Sequence, residues 1–167
     1  MDKIRWGIIG PGSIAHNFAD ALKQSYSGEL ISIASRTFSK LEEFGNKYQI
    51  TKEFRFNDYD ALLENENIDA VYIATPHVFH ADLSIRAAGK GKHILCEKPG
   101  AVNFAEASRV IEKIKEAGVF YKEGFMYRCH PQIPALINII KKNIIGNIKI
   151  ITSSFGFDMQ KIITDHR

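Results

Sequence analysis

Residues 4–15 read Ile4-Arg5-Trp6-Gly7-Ile8-Ile9-Gly10-Pro11-Gly12-Ser13-Ile14-Ala15. A short apolar run leads into a G-x-G-x-x-A turn. Ile14, Phe18 and Leu22 then recur at the i, i+4, i+8 spacing of one helix face. The pattern predicts a strand, a tight turn and a helix. Gly10 permits the turn, Gly12 lets the backbone approach a pyrophosphate, and Ala15 keeps the helix close to the sheet. The helix start offers free N–H groups and a positive dipole end to phosphates. The turn therefore predicts a dinucleotide site built from Gly10, Gly12, Ser13, Ile14 and Ala15. Another nucleotide such as S-adenosylmethionine, or no ligand at all, remains open for a glycine turn taken alone.

Outward from this turn, strands and amphipathic helices alternate. Residues 30–34 read as a second strand. Leu41, Phe44 and Tyr48 mark a second helix face with Ser39 as its N-cap, and Asp58 opens a short helix over 58–66. Residues 70–74 are a buried type of strand stopped by Pro76. Phe79, Leu83 and Ala87 trace the next helix, which Gly89 and Gly91 close, and 93–96 form another strand. Asn103 and Glu106 have capping-box spacing. Ala107, Ile111 and Ile114 continue that helix to Gly118, and Val119 begins a further strand. Repeated βα units with short connections predict an α/β fold, a Rossmann-type doubly wound parallel sheet over 1–123. Residues 124–167 read as a linker helix (131–143, with Ile133, Leu136, Ile137 and Ile140 apolar), a Gly146-Asn147 turn and a long strand over 148–157. These are the expected start of a second α/β domain. A long unpaired strand is an aggregation hazard, so a longer natural product is expected.

The 167 residues are 45% hydrophobic and 25% charged, with a net charge of +3 from scattered Lys and Arg, so no basic arm for nucleic acid is expected. Neither a signal-peptide run nor a membrane-length apolar stretch occurs. Cys96 and Cys129 are too few for a disulfide framework and lack metal-site spacing, which suits a reducing cytoplasm and predicts no metal.

The strand over 30–34 runs into Ser35-Arg36, with Lys40 one helical turn on. An acidic residue here would grip the ribose 2′-OH of NAD, whereas a guanidinium suits a 2′-phosphate through planar charge-assisted hydrogen bonds. The expectation is NADP, contacted by Ser35 and Arg36. NAD is the alternative if Arg36 is only a solvated strand-end residue.

Three further segments follow in order: Ala74-Thr75-Pro76-His77-Val78-Phe79-His80, Cys96-Glu97-Lys98-Pro99, and Glu123-Gly124-Phe125-Met126-Tyr127-Arg128-Cys129-His130-Pro131. Behind the glycine turn they resemble the Gfo/Idh/MocA family of oxidoreductases. The third segment is similar to its dihydrodiol and xylose dehydrogenase branch. The resemblance covers essentially the whole chain, and Glu97-Lys98-Pro99 is its most specific part. It implies that this segment lies beside the nicotinamide, with a cis Lys98-Pro99 bond and Lys98 as the catalytic residue in proton transfer. It further implies that Thr75 and Pro76 wall the cofactor, that His80 sits near the nicotinamide end, that Glu97 meets the nicotinamide ribose, and that Tyr127 and Arg128 border the pocket. His16 and His130 read as structural. Lys122-Glu123-Gly124 departs from the family's frequent Met-Glu-Ala, and Cys129 from its frequent Phe. Relatives continue through a second domain that completes the substrate site and often carries the oligomer contact.

The resemblance implies hydride transfer between NADP and a hydroxyl carbon of a sugar, polyol or diol, in a homo-oligomeric full-length enzyme. The rival is a non-catalytic NAD(P)-binding sensor or an inactive shortened relative, since a fold hosts many functions.

Overall fold

Ile8 and Ile9 are neighbours in sequence, yet each is buried in a different core. Successive strand side chains point to opposite faces, so a strand apolar at both positions must be covered on both sides. A computed structural model, describing residues 2–156, shows that arrangement. Six parallel strands, β1 (Ile4–Ile9), β2 (Gly28–Ala34), β3 (Arg55–Phe56), β4 (Ala70–Ile73), β5 (His93–Cys96) and β6 (Tyr121–Glu123), form one sheet in the order β3-β2-β1-β4-β5-β6. Helices α1 (Ser13–Leu22) and α2 (Phe38–Lys47) cover one face. Ala15, Ala19, Leu41 and Phe44 pack there on Ile8, Ile33 and Tyr72. Helices α3 (Tyr59–Glu64), α4 (His80–Gly89) and α5 (Phe104–Ala117) cover the other. Leu62, Leu63, Leu83 and Ala87 pack there on Ile9, Ala34, Val71 and Ile73. The expected doubly wound sheet is present.

Local signals behave as their chemistry requires. The Asp58 carboxylate accepts the Ala61 N–H and opens α3. Asn103 Oδ1 accepts the Glu106 N–H at 2.9 Å, while the Glu106 carboxylate reaches back to the Val102 N–H and the Asn103 amide. Gly118 ends α5 at φ 67, a left-handed value. Ser39 differs from expectation. It is the second residue of α2, and the cap position is Thr37, because Ser35 Oγ accepts the Thr37 N–H and turns the chain into the helix earlier. β3 has two residues, too few to show a strand period in the sequence.

The chain divides after Phe125 into two compact units. The second contains a tight helical turn, Met126–Cys129, and helix α6 (Gln132–Lys141). The strand expected over 148–157 is not formed across 148–156, where a ladder partner is lacking among the described residues; Phe157 lies outside them. A strand exists only through hydrogen bonds to a neighbour, so apolar alternation alone does not make one. None of the helices among the described residues is long and apolar enough to cross a membrane.

Candidate functional site

β1 and β4 are adjacent in the sheet, but their following helices depart to opposite faces. A crevice opens at the carboxyl ends of such a strand pair. Here it is a groove of about 490 Å3 lined by Gly10, Pro11, Gly12, Ser13 and Ile14, by Ser35, Arg36, Thr37 and Lys40, and by Tyr59, Ala74, Thr75 and Pro76.

Gly10 takes φ +94, and a Cβ there would stand 3.0 Å from the Ala74 carbonyl oxygen. Its N–H donates to Ala34 O, pinning the turn to β2. Gly12 is different. Its backbone is extended, and an added Cβ would meet only Ala74 O, at 3.8 Å. The space its missing side chain leaves is the groove itself. The first N–H groups of α1, from Ser13 and Ile14, lack helical acceptors by the geometry of any α-helix and line this space. The first turn of α1 carries no acidic side chain to compete for them. Ala15 is fully buried and holds α1 against the sheet from below, without lining the groove.

At the β2 end the groove contains two cations, Arg36 and Lys40, and no carboxylate. The Arg36 guanidinium lies 4.9 Å from the Phe79 ring centroid and 5.8 Å from that of Tyr59. The two rings support it, with no ion pair among the described residues. The buried Ser35 hydroxyl donates to Thr37 O and accepts from Thr37 N, so much of its capacity shapes the turn that presents Arg36. Tyr59 went unnoticed in the sequence; its position just behind the Asp58 cap was the available signal.

On the other wall, the buried Thr75 Oγ1 has no hydrogen-bond partner among the described residues. An orphaned buried hydroxyl beside an open groove fits a polar ligand group. The groove thus suits a dinucleotide: room at Gly12, free N–H groups, cations without acids, and a hydroxyl awaiting a partner.

Lys98 follows β5, next to β4, and the Glu97 N–H donates to Ile73 O. The Lys98-Pro99 bond is cis and the lysine is exposed. The loop it starts is held from below, where Gly100 N–H donates to Glu123 Oε1 at 2.6 Å. His80 departs from the expectation of a cofactor contact. It is completely buried, with Nδ1 2.7 Å from Pro99 O and Nε2 2.7 Å from Thr75 O. Its ring touches the walls of the site, leaving no nitrogen for a ligand.

The Glu97 carboxylate receives a 2.6 Å hydrogen bond from the Tyr72 hydroxyl. Burial, reinforced by that bond, pushes the Tyr72 phenol far above its ordinary range. A Cβ at Gly124 would stand 3.1 Å from Glu97 Oε1, so glycine there leaves the carboxylate its room. Gly124, which stands where the family frequently has Ala, and its neighbour Glu123 both serve this corner. Sequence reading missed Tyr72, which looked like one apolar strand residue among the five of 70–74.

Tyr127 and Arg128 lie in the second unit, in the turn Met126–Cys129. His16 hydrogen-bonds Tyr48 through Nδ1, and His130 Nδ1 accepts from Gln132 N.

Residues 4–125 match the model of an oxidoreductase family described as Gfo/Idh/MocA, NAD-binding Rossmann fold. The chain is 34% identical over 161 residues to trans-1,2-dihydrobenzene-1,2-diol dehydrogenase of Mus musculus, covering 95% of this chain and 48% of that protein. It is 35% identical over 169 residues to an uncharacterized oxidoreductase of Rhizobium meliloti, covering 99% of this chain and 50% of that protein. A variant of KijD10, a 3-ketoreductase from Actinomadura kijaniata solved with TDP-benzene and NADP, superposes with a TM-score of 0.79 at 34% identity, covering 89% of this chain and 46% of that one. The chain spans about half the length of the curated relatives it matches.

Proposed function

The chain belongs to the Gfo/Idh/MocA family of oxidoreductases, and from that premise we propose that it forms the cofactor-binding half of an enzyme moving hydride between NADP and a hydroxyl carbon of a sugar, polyol or diol. The observation that carries the proposal is the single groove joining the Gly10–Ile14 turn, the acid-free pair Arg36 and Lys40, and the unpartnered Thr75 hydroxyl. In this reading the Ser13 and Ile14 N–H groups meet the pyrophosphate, Arg36 meets the 2′-phosphate, and Thr75 and Pro76 flank the nicotinamide side. By the family resemblance, Arg128 is also assigned to the cofactor. The bound cofactor supplies the hydride acceptor or donor; the protein orients it and handles the proton.

Lys98 is the residue we assign to proton transfer. Its ammonium is exposed at the carboxyl edge of the sheet, where open α/β sheets bind ligands. Glu97, fixed by Tyr72, contacts the nicotinamide ribose. The diol named for the mouse relative carries carbinol carbons, and the keto group named for KijD10 is the form such a carbon takes on losing hydride and a proton, which supports this substrate class. Residues 124–167 are the start of the substrate and oligomer domain in this reading, and the unbridged cysteines suit the cytoplasm.

The test is turnover by the whole protein that carries this chain, with NADP and panels of aldoses, cyclic polyols and vicinal diols. Lys98→Ala serves as the control and is expected to lower kcat by at least about a hundredfold. Unchanged turnover in that variant removes Lys98 from the reaction.

A further inference from the structure

His80 has both ring nitrogens 2.7 Å from backbone carbonyl oxygens, Pro99 O and Thr75 O. A carbonyl oxygen only accepts. A neutral imidazole carries one N–H, so it can serve one of these carbonyls and must turn a lone pair toward the other. The ring is fully buried, out of reach of bulk water that could relieve a lone-pair clash. The neighbouring titratable ring is His77, edge-on with centroids 5.6 Å apart.

The two carbonyls belong to the two walls of the candidate site. Thr75 follows β4 and lines the groove. Pro99 follows Lys98 in the loop after β5. The strands are paired only as far as Ile73 with Cys96, and the Glu97 N–H to Ile73 O bond is the last backbone tie. Beyond it, the spacing between Thr75 and the Lys98 loop is set from the β4 side by the His80 ring.

We propose that His80 is a positioning residue of the site: its ring, set between Pro99 O and Thr75 O, holds these two carbonyls at a fixed spacing and so fixes Lys98 against the nicotinamide wall. The positioning part rests on the NADP reading; the clamp does not. Because the clamp lies at one end of the groove, its loss loosens the nicotinamide end and leaves the Arg36 end intact. A residue that merely supported the fold would affect both ends alike.

Two measurements on this chain test it. Long-range proton–nitrogen correlation on histidine-labelled protein is expected to show a slowly exchanging, hydrogen-bonded ring N–H on His80. A ring proton that exchanges as fast as that of an exposed histidine overturns the clamp. The second uses His80→Asn, whose shorter side chain cannot span both carbonyls. NADPH affinity is expected to fall about tenfold, while affinity for adenosine bisphosphate, the adenosine half alone, stays within about twofold. Equal losses for both probes, or none, overturn the positioning role. If the unsubstituted chain binds neither probe, the NADP reading and the positioning role fall together, and the nitrogen spectrum alone judges the clamp. It does so as well if the variant does not fold.

Discussion

The hydroxyl of Tyr72 donates a 2.6 Å hydrogen bond to the carboxylate of Glu97, joining the middle of the sheet to the first residue past β5. Burial raises the Tyr72 phenol well above its usual range, so it stays a donor throughout the neutral region. Tyr72→Phe keeps the ring stacked on Phe18, 4.1 Å away, and removes the bond. Urea unfolding is expected to show a loss of about 1–3 kcal/mol, the range for a hydrogen bond to a charged group. No loss would mean that the carboxylate finds another partner.

The two glycines of the turn separate stability from binding. Gly10→Ala puts a side chain on a backbone at φ +94 and against Ala74 O. It is expected to cost about 1–3 kcal/mol in unfolding. Gly12→Ser adds a Cβ that meets only Ala74 O, and serine is a favoured N-cap, so stability is expected to hold within about 0.5 kcal/mol. The serine instead fills the groove, and NADPH affinity is expected to drop at least about tenfold. A large stability loss at Gly12 with unchanged binding would reverse these roles.

Much of this was legible in the sequence because local signals and burial agree. The run Ile4 to Ile9 announced a strand, the repeated βα units a sheet covered on both faces, Asp58 and Asn103 their helices, and Gly10 to Ala15 the crevice. What stayed hidden depends on contacts between distant residues. His80 faces Pro99 across nineteen positions, and Tyr72 faces Glu97 across twenty-five. Each looks like an ordinary helix or strand residue until the sheet brings its partner close. The strand expected over 148–157 is not formed across 148–156 for a related reason: alternation describes a face, and pairing needs a neighbour.

Arg36 has aromatic support and no carboxylate in its groove. Arg36→Ala is expected to weaken NADPH binding about 10- to 100-fold and NADH binding by less than about threefold, by calorimetry. Equal losses for the two cofactors would assign Arg36 to the adenine ring instead of the 2′-phosphate.

Cys96 is buried at the end of β5, and burial pushes its thiol up from the ordinary 9.0 to about 12. The unfolded chain therefore ionises first. The stability that Cys96 contributes is complete below pH 9.0 and is lost as pH rises toward about 12. The raised phenols of Tyr72 and Tyr121 act in the same direction at higher pH. Melting temperature is expected to fall across pH 9–11, less steeply in Cys96→Ala. In native protein at pH 8, iodoacetamide is expected to modify the exposed Cys129 and spare Cys96. Equal labelling would place the Cys96 thiol within reach of solvent.

The most direct measurement is calorimetric titration of the unsubstituted chain with NADPH and with NADH under one set of conditions. The groove predicts one NADPH per chain, bound at least about tenfold more tightly than NADH. An absence of binding by either cofactor at millimolar concentration, or tighter binding of NADH, would contradict it.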